Sequence, residues 1–459
     1  MKLLITLFIF ASSLSSFGQL PYTSNTNSFT VDSNIVYGTG TNYAGIEEDL
    51  MMDIYKPVNA NCSRPCLILV HGGAWMAGSK TDPSIVNIAR DFAEKGWVVA
   101  TINYRLGMHK RANYTQYWAC TNELAQPCSY MADSSEVIRA IFRAQQDVKG
   151  AIRGMKMRSE IDSTDVTNFF VAGESAGGFN ALTATFLNEP NEKFPQAFSI
   201  ADAPVPDADL TSCLPTGYSL SRPDLGTIDG TLNLGRHDAS VQGVGNFYGG
   251  VLNLELFQNE TNWPEMYFFH QGSDVIVHYN YGKLLGRLDW ECFAQSNICQ
   301  TYAVAPFAYG SKGIVNYFNN LPAPPTYVST IIENYDYLNN CFSNGHAIDN
   351  WITRSQEMAD LFALRIQANG NDGTATNCIL NTNIPNIIHV TISPNPSNGL
   401  VIIQGESNID YQASLLTFSG HVVSKFTFKG MKQMKIEKGV YLLQLTSPTG
   451  STVQRIIVE

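Results

Sequence analysis

The sequence predicts an α/β fold, a doubly wound and mostly parallel sheet, followed by a small C-terminal all-β sandwich. Three observations predict it. Apolar strand-like runs alternate with segments of helical period from about residue 50 to residue 367, the pattern of a parallel sheet covered on both faces. One junction in that pattern is Gly173-Glu174-Ser175-Ala176-Gly177-Gly178, a tight turn between an apolar run and a helix-like segment. Beyond residue 386 the apolar period changes to two, in short runs divided by Gly, Asn and Pro.

The elements follow in order. Lys2, the apolar run Leu3 to Leu14 and the small residues Ser15 to Gly18 read as a secretory signal over residues 1–18, removed near Gly18 or Gln19. That run is too short to span a bilayer, and no later stretch reaches eighteen apolar residues. The main domain is expected over residues 19–368. It opens with a hairpin from about Ile35 to Pro57, whose second strand is Leu50 to Tyr55. A strand at Cys66–Val70, a helix at Ser84–Lys95 and a buried strand at Trp97–Asn103 come next.

Asp133 and Ser134 can cap a long helix to Met157, in which Val137, Ile138, Ile141, Val148 and Ile152 recur at helical spacing. Phe169–Ala172 is the strand that feeds the Ser175 turn, and Ala197–Ile200 is read as another. From about Val205 to Trp263 the pattern dissolves into Gly, Asp, Asn and Pro, as expected of a lid or substrate loops. Strands return at Met266–His270 and Tyr327–Ile332, and an amphipathic helix spans about Asn350 to Gln367. Residues 369–385 read as a linker. In the sandwich, residues 386–459, strands are expected at Val401–Ile403, Ala413–Phe418, Val422–Phe428, Tyr441–Thr446 and Val453–Val458.

Charge narrows the partners. With 40 Asp and Glu against 29 Lys and Arg, the net charge of −11 disfavours nucleic acid and anionic membranes. In a secreted chain most of the nine cysteines should pair. Proximity suggests Cys62–Cys66, Cys120–Cys128, Cys292–Cys299 and Cys341–Cys378, with Cys213 free. On loop entropy the short Cys62–Cys66 loop would contribute about 2 kcal/mol and the Cys341–Cys378 loop about 4 kcal/mol. No Cys-x-x-Cys occurs, so neither a zinc ribbon nor a thioredoxin-type site is supported; no cofactor and no metal are expected.

The Ser175 turn lifts a hydroxyl clear of a sheet, and a hydroxyl needs a neighbouring base, itself oriented by an acid, before it attacks. Asp274 is the leading acid, because Gln271-Gly272-Ser273 break the strand ending at His270 and place the carboxylate just past it. Asp202 and Asp289 are its rivals. His346, in Ser343-Asn344-Gly345-His346, is the leading base. His278 is the rival, but only four positions past Asp274 it would have difficulty bridging acid and serine. His237, His270 and His389 lack the placement and read as solvated or packed histidines. About a hundred residues upstream of Ser175, the strand Cys66–Val70 ends in His71-Gly72-Gly73-Ala74-Trp75. Backbone N–H groups of Gly72 or Gly73, with that of Ala176, are then the expected oxyanion donors. Activity should fall as the base is protonated, nominally near pH 6.5, about the ordinary value for histidine.

Together these motifs resemble those of the α/β-hydrolase carboxylesterases with an HGG oxyanion loop. That group includes hormone-sensitive-lipase-like and feruloyl or acetyl-xylan esterase members. The resemblance covers roughly residues 33–368. It rests on Asp53-Ile54-Tyr55-Lys56-Pro57, the His71 and Ser175 motifs, Asp147 with Ala151-Ile152-Arg153, Gln271-Gly272-Ser273-Asp274 and Gly345-His346. The turn carries Ala74 where many relatives have a third Gly, and residues 205–263 match no familiar lid. Residues 386–459 resemble a type IX secretion sorting domain, through Ile392-Ser393-Pro394-Asn395-Pro396-Ser397-Asn398-Gly399 and Gly439-Val440-Tyr441-Leu442-Leu443-Gln444-Leu445. The resemblance implies the type IX secretion machinery as a partner and passage through the periplasm of a Gram-negative bacterium to the surface or beyond.

The expected activity is hydrolysis of carboxylic esters through an acyl-enzyme on Ser175, acyl or feruloyl esters of polysaccharides among them. A lipase, polyester hydrolase or serine peptidase on the same scaffold, or a non-catalytic adhesin, are the alternatives. Aromatic residues such as Trp75, Trp118 and Trp263 are available to stack on sugar rings, although core packing is the default for most.

Overall fold

The computed structural model describes residues 20–107, 109–110, 129–130, 133–203, 221–284, 305–333, 345–373, 390–417, 422–447 and 450–459. The chain divides into two compact units, Met1–Thr376 and Asn377–Glu459. The signal segment, most of the linker, Trp118, Asp289 and His389 lie outside the described residues.

The first unit is built on an eight-stranded sheet. Its strands are β1 (Phe29–Thr41), β2 (Glu47–Pro57), β3 (Arg64–Val70), β4 (Val98–Ile102), β5 (Thr164–Glu174), β6 (Gly243–Phe247), β7 (Glu265–Gln271) and β8 (Tyr327–Ile332). They lie in the order β1-β2-β4-β3-β5-β6-β7-β8. β1 and β2 form the expected antiparallel hairpin, and β2 pairs antiparallel with β4. Every pair from β4 to β8 is parallel. This is the α/β-hydrolase sheet.

Five helices matter here: α1 (Pro83–Glu94), α2 (Ser135–Met157), α3 (Ala176–Phe186), α4 (Ser311–Asn319) and α5 (Trp351–Ala368). Alternate residues of the strands feed two separate cores, as a pleated strand buried on both faces requires. In β3, Cys66, Ile68 and Val70 pack with Ile141, Val148 and Ile152 of α2, while Leu67 and Leu69 pack with Phe92 of α1 and Phe362 of α5. Trp97 anchors the second core. Its indole N–H donates to the Tyr22 carbonyl at 2.9 Å, and its ring meets Phe92 and Phe170 edge-on.

Two sequence expectations are corrected. Ala197–Ile200 is not a strand: a 3-10 turn occupies Pro195–Ala197, because Pro195 has no N–H to give a ladder. The strand after α3 is β6, inside the stretch read as irregular. Its sequence, Gly-Val-Gly-Asn-Phe, has poor β-propensity, yet packing demands it. A Cβ on Gly245 would lie 2.4 Å from the Met358 sulfur and 2.8 Å from the Ala172 Cβ, so only glycine lets the sheet and α5 close.

The Cys62–Cys66 pair is also not formed. Cys66 is a free thiol buried within β3, where its side chain belongs to the core and burial pushes its pKa well up. Cys62 is disulfide-bonded to a residue other than Cys66. The remaining expected pairs, Cys120–Cys128, Cys292–Cys299 and Cys341–Cys378, and Cys213 lie outside the described residues.

In the second unit, β9 (Thr391–Ser393), β10 (Leu400–Gln404) and β13 (Met431–Lys435) form one antiparallel sheet. A second contains β11 (Asp410–Thr417), β12 (Val422–Lys429), β14 (Gly439–Ser447) and β15 (Gly450–Val458), in the order β12-β11-β14-β15. Val401 and Ile403 from the first pack with Tyr411, Leu443, Leu445 and Ile456 from the second. The short β9 and the lysine-rich β13 carried no clear apolar alternation. Among the described residues no helix is long and apolar enough to cross a membrane.

Candidate active site

β5 ends at Glu174 and α3 begins at Ala176, leaving Ser175 on the turn between them with φ 53° and ψ −122°. For a non-glycine residue this is strained backbone, held by its surroundings. The Ser175 amide donates to the Phe247 carbonyl at the end of β6, at 2.9 Å. A Cβ on Gly177 would lie 2.1 Å from the Val70 carbonyl oxygen, so glycine is what lets α3 sit directly on the end of β3.

Asp274 follows β7, where its amide donates back to the Gln271 carbonyl at 3.1 Å. The residue is fully buried. Its Oδ1 accepts the amides of Ile276 (2.8 Å) and Val277 (2.9 Å), and its Oδ2 accepts His346 Nδ1 at 2.7 Å. Burial alone would raise its pKa. The positive charge available at His346 and the hydrogen bonds from His270 and His346 win, and hold the carboxyl well below the usual range.

The other ring nitrogen, His346 Nε2, stands 2.8 Å from Ser175 Oγ. With the Nδ1 proton given to Asp274, Nε2 offers its lone pair to the serine hydroxyl. Tyr248, just past β6, meets the His346 ring edge-on with centroids 4.7 Å apart, and its hydroxyl donates to Glu174 Oε2 at 2.6 Å. Ser84 of α1 donates to the other oxygen of that carboxylate.

The rival residues are placed elsewhere. Asp202 is exposed. His278 accepts the Asn280 amide at 3.1 Å and stacks on Tyr279. His270, read as an ordinary packed histidine, is fully buried, with Nε2 3.2 Å from Asp274 Oδ2. Neither His270 nor Tyr248 stood out in the sequence. The first lies four residues before Asp274 at a strand end, a spacing that had been visible; the second lies in the stretch read as irregular.

The turn at Gly72-Gly73 lies beside the elbow: a Cβ on Gly72 would fall 3.1 Å from the Ser175 Cβ. Gly73 has φ +105°, and its carbonyl accepts the amides of Met76 (2.9 Å) and Ala77 (3.0 Å). Ala74 and Trp75 also have positive φ, 52° and 58°, so the absent third glycine leaves a strained alanine in its place. Their neighbours lock the turn. The Trp75 indole donates to Asn180 of α3 (2.8 Å), the Trp75 carbonyl accepts the Gly107 amide (2.8 Å), and Lys80 pairs with buried Asp53 of β2 (2.7 Å). Arg105, after β4, is held by Asp147 of α2 at 2.6 Å.

His71 stacks on Tyr104 with centroids 4.4 Å apart and donates Nδ1–H to the Gly72 carbonyl at 2.7 Å. Burial pushes its pKa down to about 4, against smaller raising effects of that hydrogen bond and of Asp82. The folded chain therefore keeps this ring neutral while the unfolded chain binds a proton below about pH 6.5, and stability falls with pH across that window. The penalty reaches about 3 kcal/mol once the pH is below about 4. The melting temperature of the first unit should accordingly drop between pH 7 and pH 4 by calorimetry. His71→Asn, having no titrating ring, should flatten that part of the curve.

Two cavities meet at Ser175. One, of about 540 Å³, is bordered by Gly72, Gly73, Ser84, Asn87, His346 and Trp351 among others. The second is a narrow apolar pocket of about 20 Å³, bordered by Ala74, Trp75, Val137, Ala176, Phe179 and Ile276 among others.

Residues 52–136 match the BD-FAE family model, and residues 391–459 match the model of the secretion system C-terminal sorting domain. No curated protein shows a significant match. Among solved structures, a truncated carbohydrate esterase from gut microbiota is 15% identical with a TM-score of 0.40, covering 76% of this chain and 100% of its own. Esterase 2 of Thermogutta terrifontis phosphorylated by paraoxon is 18% identical with a TM-score of 0.37, covering 74% of this chain and 94% of its own.

Proposed function

We propose that this chain, an esterase domain of α/β-hydrolase fold followed by a type IX sorting domain, is a secreted serine hydrolase of carboxylic esters. The observation that carries the reading is the continuous path Asp274–His346–Ser175, with hydrogen bonds of 2.7 and 2.8 Å, opening on the 540 Å³ cavity. His346 takes the Ser175 proton as the oxygen attacks the ester carbonyl, and Asp274 holds the imidazole in the tautomer this requires. The backbone N–H groups of Gly72 or Gly73 and of Ala176 receive the oxyanion; losing one such donor costs about 100- to 1,000-fold in rate. His346 then protonates the leaving alcohol, and water releases the acid from Ser175 by the same steps in reverse.

The two cavities suggest the division of the substrate. A pocket of about 20 Å³ has room for little more than one water-sized group, so it suits the methyl end of a short acyl chain. The wider cavity, with Ser84, Asn87 and exposed Trp351 at its border, suits a polar alcohol such as a sugar hydroxyl. The sorting domain directs the chain out of the cell or to its surface, and we take the route to run through the periplasm of a Gram-negative bacterium.

A series of nitrophenyl esters tests this. The mature protein should hydrolyse the acetate, and kcat/KM should fall by about tenfold or more for each methylene that overfills the pocket. Folded protein that turns over no ester would overturn the reading, and equal rates for acetate and decanoate would overturn the assignment of the acyl pocket.

A further inference from the structure

We infer that His270 is a positioning residue of the same relay, whose Nε2–H holds Asp274 Oδ2 so that the carboxylate stays aimed at His346. This rests on the ester-hydrolase reading above.

The tautomer follows from the backbone. Ser311 is the first residue of α4, and its amide N–H donates to His270 Nδ1 at 3.3 Å. A nitrogen that accepts an amide proton carries none of its own, so the ring proton sits on Nε2. Nε2 faces Asp274 Oδ2 at 3.2 Å and the Val277 carbonyl at 3.0 Å, and shares its proton between them. The Ser311 hydroxyl lies 3.1 Å from Nδ1 and accepts the Asn246 side-chain amide at 3.1 Å. A buried polar path therefore runs from Asn246 of β6 through Ser311 of α4 and His270 of β7 to the Asp274 carboxylate. His270 is fully buried, so its ring has no face open to bulk solvent and its contacts define its orientation.

The effect on the relay is geometric and electrostatic. Two backbone amides hold Oδ1, and His346 and His270 hold Oδ2, so turning about the Cβ–Cγ bond, which moves both oxygens together, would break contacts at each. The second imidazole donor stiffens the carboxylate against that turn. It also draws negative charge away from the oxygen that faces His346, which weakens the attraction between Asp274 and the His346 imidazolium. Around these rings the titratable groups are Asp274, Tyr248, whose ring edge meets His346, and Glu174, which accepts the Tyr248 hydroxyl. Of these three, only Asp274 loses a partner when His270 is substituted.

His270→Phe keeps the ring volume and deletes the donor, while His270→Gln restores a donor amide. On a short-chain nitrophenyl ester, His270→Phe should lower kcat about tenfold or more, the usual worth of a hydrogen bond to a charged group. KM should change by no more than about twofold, since no substrate contact is lost. The midpoint of the acid limb of kcat should move up by about half a pH unit, because a carboxylate freed of one donor holds the imidazolium more strongly. His270→Gln should recover most of both effects. A merely structural histidine would lower the melting temperature without moving the acid limb, and that result would overturn the proposal, as would a His270→Phe enzyme with wild-type kcat. Nitrogen-15 NMR of the histidine-labelled wild-type chain gives a reading that needs no variant to fold. It should find the His270 proton on Nε2, and a proton on Nδ1 would contradict the inference. That measurement tests the tautomer on which the inference depends even if the chain hydrolyses no ester, which is the outcome that would end the functional reading instead.

Discussion

Ser175→Ala should abolish ester hydrolysis, with kcat falling on the order of a million-fold while the melting temperature changes little. The loss is that large because no other group stands where Oγ does, 2.8 Å from His346 Nε2 at the junction of both cavities. Residual turnover by oriented water and the oxyanion donors sets the floor, about a thousand- to ten-thousand-fold above the uncatalysed rate. The backbone strain at φ 53° survives the substitution, so the fold should not gain much from it. Initial rates on nitrophenyl acetate, with calorimetry of the same preparation, give both numbers. A variant with more than about a hundredth of wild-type kcat would remove Ser175 from the reaction.

Asp274→Asn should cost about ten-thousand-fold in kcat with little change in volume. The reason is tautomeric. Asp274 accepts at both oxygens, from two backbone amides and from two imidazoles. An asparagine must present its NH₂ to one of these donors. The backbone amides cannot turn away, so the NH₂ faces the imidazoles and forces His346 Nδ1 to become the acceptor. The proton then moves to Nε2, and the ring can no longer take one from Ser175. Because the wild-type carboxyl is held well below the usual range, it stays ionised across pH 5–9, so the substitution removes a charge as well as an acceptor. Rates of the Asp274→Asn enzyme across pH 5–9 check this. Activity restored at either extreme would contradict the tautomer argument.

Much of this is legible in the sequence alone. The elbow and the Gly72-Gly73 turn are written in glycines that have a steric cause: a Cβ on Gly177 would lie 2.1 Å from the Val70 carbonyl oxygen, and one on Gly73 2.3 Å from the Ala77 carbonyl oxygen. Strands β3 and β5 and helix α2 announce themselves because a buried strand must be apolar on both faces and a helix packed on a sheet must repeat every turn. β6 was hidden for a physical reason. It is wedged between Ala172 and Met358, so space rather than β-propensity selects its residues, and glycines read as loop. Tyr248 was hidden with it. His270 was visible but uninformative, since a histidine at the end of a buried strand has no sequence mark that separates packing from positioning. Cys62 and Cys66 misled because nearness along the chain says nothing about which way a strand turns a side chain. Cys66 faces the core.

The central claim is that Ser175 is the atom acylated, driven by His346. Treating the mature chain with a stoichiometric fluorophosphonate and mapping the adduct by peptide mass spectrometry tests it most directly. One phosphonyl group should appear, on the peptide containing Ser175, and labelling should be lost in His346→Ala. An adduct on any other residue, or undiminished labelling without the imidazole, would contradict it.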